Sequence, residues 1–391
     1  MYKILLFLYA NNFLTLSNYI AIILVIYCLL KTRFKVLLMS SKTFSLLILS
    51  SFSYMILYIY NYGFPGFSTF FLRFLAPLLL YFIGINQGTK GIYQFLDNML
   101  IIGFAQFFHG FMNVILNRNV QVLSISGRQY QDIYGGSISA TLQNLLFIVI
   151  CSLLFYNIFC EKRITVKIFG ILASLGGIYG TIANASRTLI YLTLISFLVA
   201  FVMYSYLYRN NRQIAKIWLV VIFAAALFIM IVWLNLFNII GWFTNTALGQ
   251  RLAKSSTSGI ASNLRFTYAV DVLRLLFKYP MGIPYSYYSH YAHNLWLDIA
   301  RETGVVPFIL YLWFSILSIK SIIKTLRSKF IPKEAKIFIV SLTSAFFMSF
   351  FAEPVLTGAP QIFSIYCFMI GYLSSINTNE RNMVTYENST N

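Results

Sequence analysis

The residues of this chain that are best suited to catalysis are gathered in one short polar stretch, residues 290–304. It contains His290 and His293, two of the three histidines, followed closely by Asp298 and Glu302. An imidazole can hold or accept a proton near pH 7. Since only 10% of the residues are charged, this crowding predicts that the functional site lies here.

A metal site would need more ligands than this stretch offers. His290, His293 and one carboxylate form an incomplete ligand set, and no tight metal-ligand spacing recurs elsewhere. The four cysteines lie in or beside apolar runs and also lack such spacing. We therefore predict no bound metal and no other cofactor, and we interpret the cysteines as packing residues.

Three arginines stand where an unpaired charge is expensive. Arg73 lies inside an apolar run, Arg187 lies at a turn between two such runs, and Arg265 lies in a predicted helix. A guanidinium in apolar surroundings needs an anionic partner, and its fork suits a phosphate as well as a carboxylate. The alternatives are that Arg73 and Arg187 extend to lipid headgroups and that Arg265 forms a structural pair.

The periodicity of residues 264–278 predicts a surface helix. Arg274 and Lys278 fall on its polar face, toward water or lipid headgroups, whereas Arg265 falls on the opposite face beside Val272. A guanidinium on the buried face costs several kcal/mol unless it is paired. Arg265 is therefore expected to bind something negative.

The chain is then predicted to turn at residues 280–284, Pro-Met-Gly-Ile-Pro. Tyr288 and Tyr291, two of the four tyrosines that follow, suit a membrane interface and a sugar-binding cleft equally well. A second helix is predicted to begin at His293 and to run into the next apolar run. That phase would turn His293 toward whatever the helix packs against.

These residues must be positioned by membrane helices, because 59% of the chain is hydrophobic and its mean hydropathy is +0.75. A helix needs about 20 apolar residues to cross the bilayer, and such runs recur from end to end. The sequence predicts an all-α integral membrane protein, one polytopic bundle over residues 1–391 with about eleven (10–12) transmembrane helices. The predicted spans are residues 12–30, 43–61, 68–85, 94–116, 138–160, 168–184, 188–208, 217–238, 305–322, 337–353 and 361–378.

The net charge of +19 would suggest nucleic acid in a soluble protein, but here the basic residues fall in alternate connections between spans. By the positive-inside rule those connections are cytoplasmic. The C-terminus is then inside, and the N-terminus is outside unless residues 4–30 hide a second short span. Residues 239–304 become a large outer loop with short helices, and residues 379–391 are predicted to be a short disordered cytoplasmic tail.

The chain resembles the bacterial superfamily of O-antigen and capsular polysaccharide polymerases and O-antigen ligases, over roughly residues 180–320. The matching residues are Ser186-Arg187-Thr188, Arg265, Pro280-Met281-Gly282, His293-Asn294-Leu295-Trp296-Leu297 and Glu302-Thr303-Gly304. One departure is Pro307, where the family often has a second glycine. Another is that the arginine-then-glycine spacing of some polymerase loops is not found.

The resemblance implies a helical fold like that of C-type glycosyltransferases. It also implies that a glycan is transferred from undecaprenyl pyrophosphate on the outer leaflet, without metal or nucleotide sugar. Arg187 and Arg265, with Arg73, would hold the pyrophosphate and stabilise its charge as it leaves. His293 would orient or deprotonate the acceptor hydroxyl, and Glu302 would fix the helix of His293 or pair with Arg265.

Asn294, Tyr288 and Tyr291 are further expected to bind substrate. The expected partners are the lipid-linked glycan donor and acceptor, membrane lipids, and a chain-length regulator and flippase of the same pathway, but no nucleic acid. The expected location is the bacterial cytoplasmic (inner) membrane, with the active site facing the periplasm.

Two other kinds of function stay open at this point. In a polymerase the acceptor is another lipid-linked repeat, and in a ligase it is the lipopolysaccharide core; we favour the polymerase. A carrier, such as a flippase for the same lipids or a small-molecule transporter, should place its functional charges near the bilayer midplane and show related halves. In this chain the unusual charges cluster on one side and no repeat is visible, which favours an enzyme over a carrier or a membrane scaffold.

Overall fold

The computed structural model describes residues 1–31, 41–118, 129–209, 213–257 and 264–390. Apart from one hairpin, β1 (Gln129–Gln131) with β2 (Ser137–Ser139), the regular structure there is helical. The helices are α1 (Tyr2–Ala10), α2 (Ser17–Lys31), α3 (Lys42–Tyr62), α4 (Phe67–Phe70), α5 (Ala76–Gly88), α6 (Ile92–Leu116), α7 (Ala140–Leu145), α8 (Ile148–Ser152), α9 (Leu154–Phe159), α10 (Ile164–Ala183), α11 (Arg187–Leu207), α12 (Gln213–Trp233), α13 (Ile239–Asn245), α14 (Ala247–Thr257), α15 (Leu264–Lys278), α16 (Leu295–Thr303), α17 (Val305–Arg327), α18 (Lys333–Ala352), α19 (Val355–Gly358) and α20 (Pro360–Thr390). Short 3₁₀ turns lie at Phe13–Thr15 and Leu236–Asn238, and a π-helical turn lies at Phe71–Leu75.

The all-α membrane character is confirmed, whereas the count of eleven spans is not. Among the described residues, eight stretches are long and apolar enough to cross a membrane: 42–62, 67–88, 92–116, 140–159, 164–183, 187–207, 305–327 and 333–352. Each of them overlaps a predicted span. The predicted span 217–238 is instead a pair of helices bent by 88°, Ile217–Trp233 and Leu236–Asn245, which makes nine spans if the pair is one.

The predicted spans 12–30 and 361–378 are not among the eight stretches, each for its own reason. Most of the predicted span 12–30 belongs to the fifteen-residue α2, which packs against the nine-residue α1, and neither helix is long enough to count among the eight. Residues 361–378 belong to α20, which is buried on nearly every side and carries polar residues inside the bundle. The described side chains end at residue 378, so the disordered tail predicted for residues 379–391 stays a prediction.

The core forms around α20 because it packs along α5 at very short range. A Cβ added to Gly84 would lie 2.2 Å from the carbonyl oxygen of Phe368, so only glycine permits this approach. The pairs α11 with α18 and α3 with α17 close the bundle around this centre. Small residues at helix interfaces allow such close packing in membranes, where lipid removes the hydrophobic drive for helix association.

The two ends of the bundle differ in chemistry. At one end, which we call the basic end, Arg163 and Lys3 pair with Asp97, and Lys162 pairs with Glu334. At the other, which we call the loop end, lie the β-hairpin, the α13–α16 helices and the turn from α18 into α19. The predicted catalytic residues all lie at the loop end.

Candidate functional site

The local structure around His293 is set by a helix cap. Asn294 is the N-cap of α16, and its Oδ1 accepts hydrogen bonds from the N–H groups of Trp296 and Leu297, both at 3.1 Å. His293 itself has φ of 55°, in the left-handed region. The predicted helix start at His293 is therefore wrong: the cap moves the start to Leu295, which leaves His293 outside the helix.

Asp298 stabilises the left-handed backbone of His293. Its carboxylate accepts the N–H of Ala292 at 2.7 Å and the N–H of Asn294 at 3.1 Å, so that it clamps the residue on each side of His293. Burial of the carboxyl raises the pKa of Asp298 to about 7. A left-handed non-glycine residue costs free energy, and these two hydrogen bonds offset that cost.

A glutamate that the sequence analysis did not single out forms the centre of the candidate site. Glu353 follows α18, and its Oε1 accepts a hydrogen bond from Thr188 Oγ1 at 2.7 Å while Oε2 accepts one from Thr141 Oγ1 at 3.2 Å. Arg265 Nη2 lies 3.7 Å from Oε1. We call Thr141, Thr188, Arg265, His293 and Glu353 the Glu353 cluster; it joins α7, α11, α15, α18 and the start of α16.

His293 belongs to this cluster through its electrostatics. Burial and the positive charge of Arg265 lower the pKa of His293 below its ordinary value of 6.5, and Glu353 only partly offsets them. Its Nδ1 is buried and hydrogen-bonds to nothing in the described part of the chain. The imidazole is therefore neutral at pH 7 and able to accept a proton.

Arg265 lies elsewhere than its helical phase predicts. Val272 and Leu276 are buried as expected, and Arg274 and Lys278 are exposed, but the side chain of Arg265 is 43% exposed. Its place in the first turn of α15 lets it extend past the packed part of the helix. There its Nη1 donates to the carbonyl of Ala352 at 2.8 Å.

Glu302, the expected partner of Arg265, belongs to a second cluster. Its Oε1 accepts a hydrogen bond from Arg301 Nη2 at 2.8 Å, and its Oε2 accepts one from Tyr54 and lies 3.8 Å from Arg73 Nη1. We call Tyr54, Arg73, Arg301 and Glu302 the Glu302 cluster. The pairing with Arg265 is thus wrong, because α3 and the π-helical turn bring nearer partners to Glu302.

The three arginines that were predicted to form one anion site lie in two different places. Arg73 is 8% exposed in the Glu302 cluster and lies over the ring of Tyr58. Arg187 is the first residue of α11 and is half-buried, and it precedes Thr188 of the Glu353 cluster. Arg187 and Arg265 therefore lie near one site, and Arg73 supports α16 at another.

The two predicted tyrosines lie apart, and within the described part of the chain neither contacts the Glu353 cluster. The ring of Tyr291 lies under the guanidinium of Arg301, with 4.3 Å from ring centroid to Cζ. Tyr288 donates a hydrogen bond to the carbonyl of Tyr268 at 3.4 Å, and His290 stacks on the ring of Tyr268. Tyr288 and His290 thus cover α15, and neither has a partner within the Glu353 cluster.

The turn predicted at residues 280–284 is confirmed, and it packs on the end of α16. The N–H of Val305 donates to the carbonyl of Pro280 at 2.9 Å, and the N–H of Ile283 donates to the carbonyl of Arg301 at 2.8 Å. Gly304 breaks the helix with φ of 83°, so α16 does not continue into α17 as predicted. This turn anchors the α16 segment that carries Glu302.

The third histidine, His109, is a packed polar residue. Its Nε2 lies 2.7 Å from Asp132 Oδ1, and both side chains are buried. Asn113, one turn along α6, accepts the N–H of Ile133. These contacts attach the β1–β2 connection to α6, away from the Glu353 cluster.

Sequence reasoning missed Glu353, although the chain contained a signal. It is a carboxylate placed directly before Pro354, at the end of an apolar run that contains no other acid after Glu334. An ionisable residue at such a position is expensive and usually has a partner. Comparison with known proteins adds no further residues, since no protein-family model and no curated relative matches the chain.

Proposed function

We propose that this chain is a polysaccharide polymerase that transfers glycan from undecaprenyl pyrophosphate to a lipid-linked repeat unit of an O-antigen or capsule. The observation that carries the proposal is a neutral histidine, His293, beside Arg265 and Glu353 at the membrane-helix ends. A lipid-linked pyrophosphate reaches this depth directly from the bilayer. A base and a guanidinium are the two groups that such a transfer needs.

The arginines supply the anion site. The Nη1 of Arg265 donates to Ala352 and its Nη2 lies 3.7 Å from Glu353, so an incoming anion would bind at the exposed edge of the guanidinium. Arg187 begins the 21-residue α11, whose N-terminus adds positive potential. We assign Arg73 to positioning, because it is buried against Glu302 and supports α16.

In the proposed step, the acceptor hydroxyl attacks the anomeric carbon of the donor glycan. The carbon–oxygen bond to the pyrophosphate breaks, and the electron pair leaves with that pyrophosphate, which stays on its lipid. His293 takes the hydroxyl proton, and Arg187 and Arg265 stabilise the charge on the leaving group. Glu353 holds Arg265 and Thr188 in place and balances the positive charge before substrate arrives.

The proposed topology follows from the same charges. The basic end, with Lys162 and Arg163, is assigned to the cytoplasm of a bacterial inner membrane, and the loop end to the outer leaflet. The C-terminus is then cytoplasmic. Lys3 lies at the basic end as well, so the N-terminus is assigned to the same side.

Deletion of the gene tests the function, with surface glycans as the readout. Single repeats on the surface are expected, because lipid-linked units would still be exported and attached. Polymer trapped on undecaprenyl pyrophosphate would instead indicate a lost ligase, and repeats trapped in the cytoplasmic leaflet would indicate a lost flippase. Either result would contradict the proposed polymerase.

Complementation of the deletion strain then tests the site. His293→Ala and Arg265→Ala, shown to be expressed and inserted, should each lower polymer formation by about 100-fold or more. Arg274→Ala is the matched control, because Arg274 lies on the exposed face of the same helix. Full-length polymer in either site variant would show that the catalytic assignment is wrong.

A further inference from the structure

A cavity of about 810 Å³ opens at the loop end, outside the two clusters. The ends of α6 and α10 form one wall, and α13 and α14 form the other. Its volume lies within the range of about 300–1,000 Å³ that is usual for small-molecule sites. Neither the Glu353 cluster nor the Glu302 cluster contributes a lining residue.

One lining residue points to a ligand. Asn184 is 3% exposed, and its Nδ2 donates to no described residue. A buried amide that has lost its hydration without gaining a hydrogen bond destabilises the fold. A ligand that accepts a hydrogen bond from Nδ2 would remove that cost.

The rest of the lining favours a sugar. Side-chain amides that can bond to sugar hydroxyls come from Asn184, Asn245 and Gln250, whereas Asn117 and Thr246 also line the cavity but already hydrogen-bond to the protein backbone. Trp242 and Tyr179 lie on the same walls and are 53% and 57% exposed, so their rings are open to the apolar C–H face of a sugar.

The charge of the cavity lining also restricts which ligands the cavity can bind. Arg118 is the one charged side chain among the described lining residues. A lining with one guanidinium and no carboxylate suits neutral or acidic sugars and disfavours cationic ones. Most of its polar groups are neutral, which matches an oligosaccharide better than a pyrophosphate.

The cavity lies directly beside the proposed catalytic site. Asn184 lines the cavity, and four residues later Thr188 bonds to Glu353. Arg251 of α14 donates to the carbonyl of Ala185 at 2.7 Å and so fixes the cavity wall to this turn. A glycan bound in the cavity would therefore be able to extend around this short turn to the Glu353 cluster.

We propose that this cavity binds the oligosaccharide part of a lipid-linked substrate, several sugar residues long, with Asn184 and Trp242 as its main contacts. The inference rests on the proposed polymerase function and adds a separate site to it. It predicts that substrate recognition and catalysis reside in different residues.

The test measures binding directly, by titration calorimetry of the full-length protein in nanodiscs. The probe is an oligosaccharide released by partial hydrolysis of the cell's own surface polysaccharide. Wild type and His293→Ala should bind it equally, whereas Asn184→Leu and Trp242→Ala should bind about tenfold or more weakly. Trp233→Ala is the matched control, since Trp233 is 81% exposed and lies outside the cavity lining.

Asn184→Leu also separates binding from folding. Leucine has a similar size and removes the unpartnered amide, so the thermal midpoint should stay the same or rise while oligosaccharide affinity falls. A variant that is as stable as wild type and binds the probe equally well would overturn the inference. So would a wild-type protein that does not bind the probe.

The two proposals can fail separately. If gene deletion abolishes polymer but both cavity variants bind the oligosaccharide like wild type, only the cavity assignment is overturned. If deletion leaves polymer intact while the cavity binds the oligosaccharide, the polymerase function is overturned and the cavity remains a glycan site.

Discussion

The protonation of His293 depends on residues from three different parts of the chain. Burial and the charge of Arg265 lower the pKa of His293, Glu353 opposes that shift, and Asp298 fixes the backbone. A base works best when its pKa lies near or below the working pH, because the unprotonated form then dominates. In the proposed mechanism the charge of Arg265 therefore acts in two ways: it stabilises the leaving group, and it lowers the pKa of the base.

The pH profile of transfer should report this coupling. Activity should fall on the acid side as His293 gains a proton, with a midpoint below 6.5. Arg265→Gln removes a positive charge that disfavours protonation, so the midpoint should move upward, in addition to a lower rate. The measurement is kcat/KM against pH with lipid-linked repeats in nanodiscs. Arg274→Gln should leave the midpoint in place, and an unmoved midpoint in Arg265→Gln would contradict the coupling.

The carboxylate of Glu353 is the anion that lies nearest to Arg265 in the Glu353 cluster. Glu353→Gln keeps the shape of the side chain but removes the charge that balances Arg265, so polymer formation should fall by about 100-fold. Glu334→Gln is the control, because Glu334 lies at the opposite end of the same helix, α18. Polymer yield in the complemented deletion strain measures both. Equal yields would remove Glu353 from the site.

At the scale of elements, the site depends on how α16 is held. Asn294 caps its start, Gly304 ends it, and the turn at residues 280–284 packs against that end. The Glu302 cluster then attaches α16 to α3 and to the π-helical turn that carries Arg73. A short helix with fixed ends gives His293 a defined place although His293 is outside it.

Gly304→Ala tests this support. A Cβ there would lie 2.0 Å from the carbonyl oxygen of Pro280, and φ of 83° disfavours any L side chain. The variant should lose more than about 1 kcal/mol of stability and should also lose transfer activity. Gly66→Ala is the control, since a Cβ at Gly66 meets nothing within 4 Å. Thermal unfolding in nanodiscs measures the difference, and equal midpoints would show that this turn does not support the site.

In the whole molecule, the two ends of the bundle differ in how exposed their charged side chains are. Ion pairs and exposed lysines occupy the basic end, and the buried charges of both clusters occupy the loop end. A charge is retained inside an apolar protein only where partners compensate its desolvation. The candidate site at the loop end therefore needs the partners that both clusters provide.

The orientation can be measured with thiol labelling. The four native cysteines are free and buried, so they should give little background. Tyr285→Cys at the exposed loop end should react with a membrane-impermeant maleimide in intact cells, whereas Lys329→Cys at the basic end should react only after the cells are opened. The reverse pattern would contradict the proposed topology.

The sequence by itself determined the membrane class and most of the spans, because long apolar runs are local signals. It also predicted the turn at residues 280–284, since proline and glycine act on their own backbone. Only the tertiary structure decided which charges meet. Glu353 pairs with Arg265, which lies 88 positions earlier in the chain, and Glu302 pairs with Arg73. Helix packing, and not sequence spacing, brings these side chains together. The left-handed backbone of His293 is held more locally, by the hydrogen bonds that Asp298 accepts from Ala292 and Asn294.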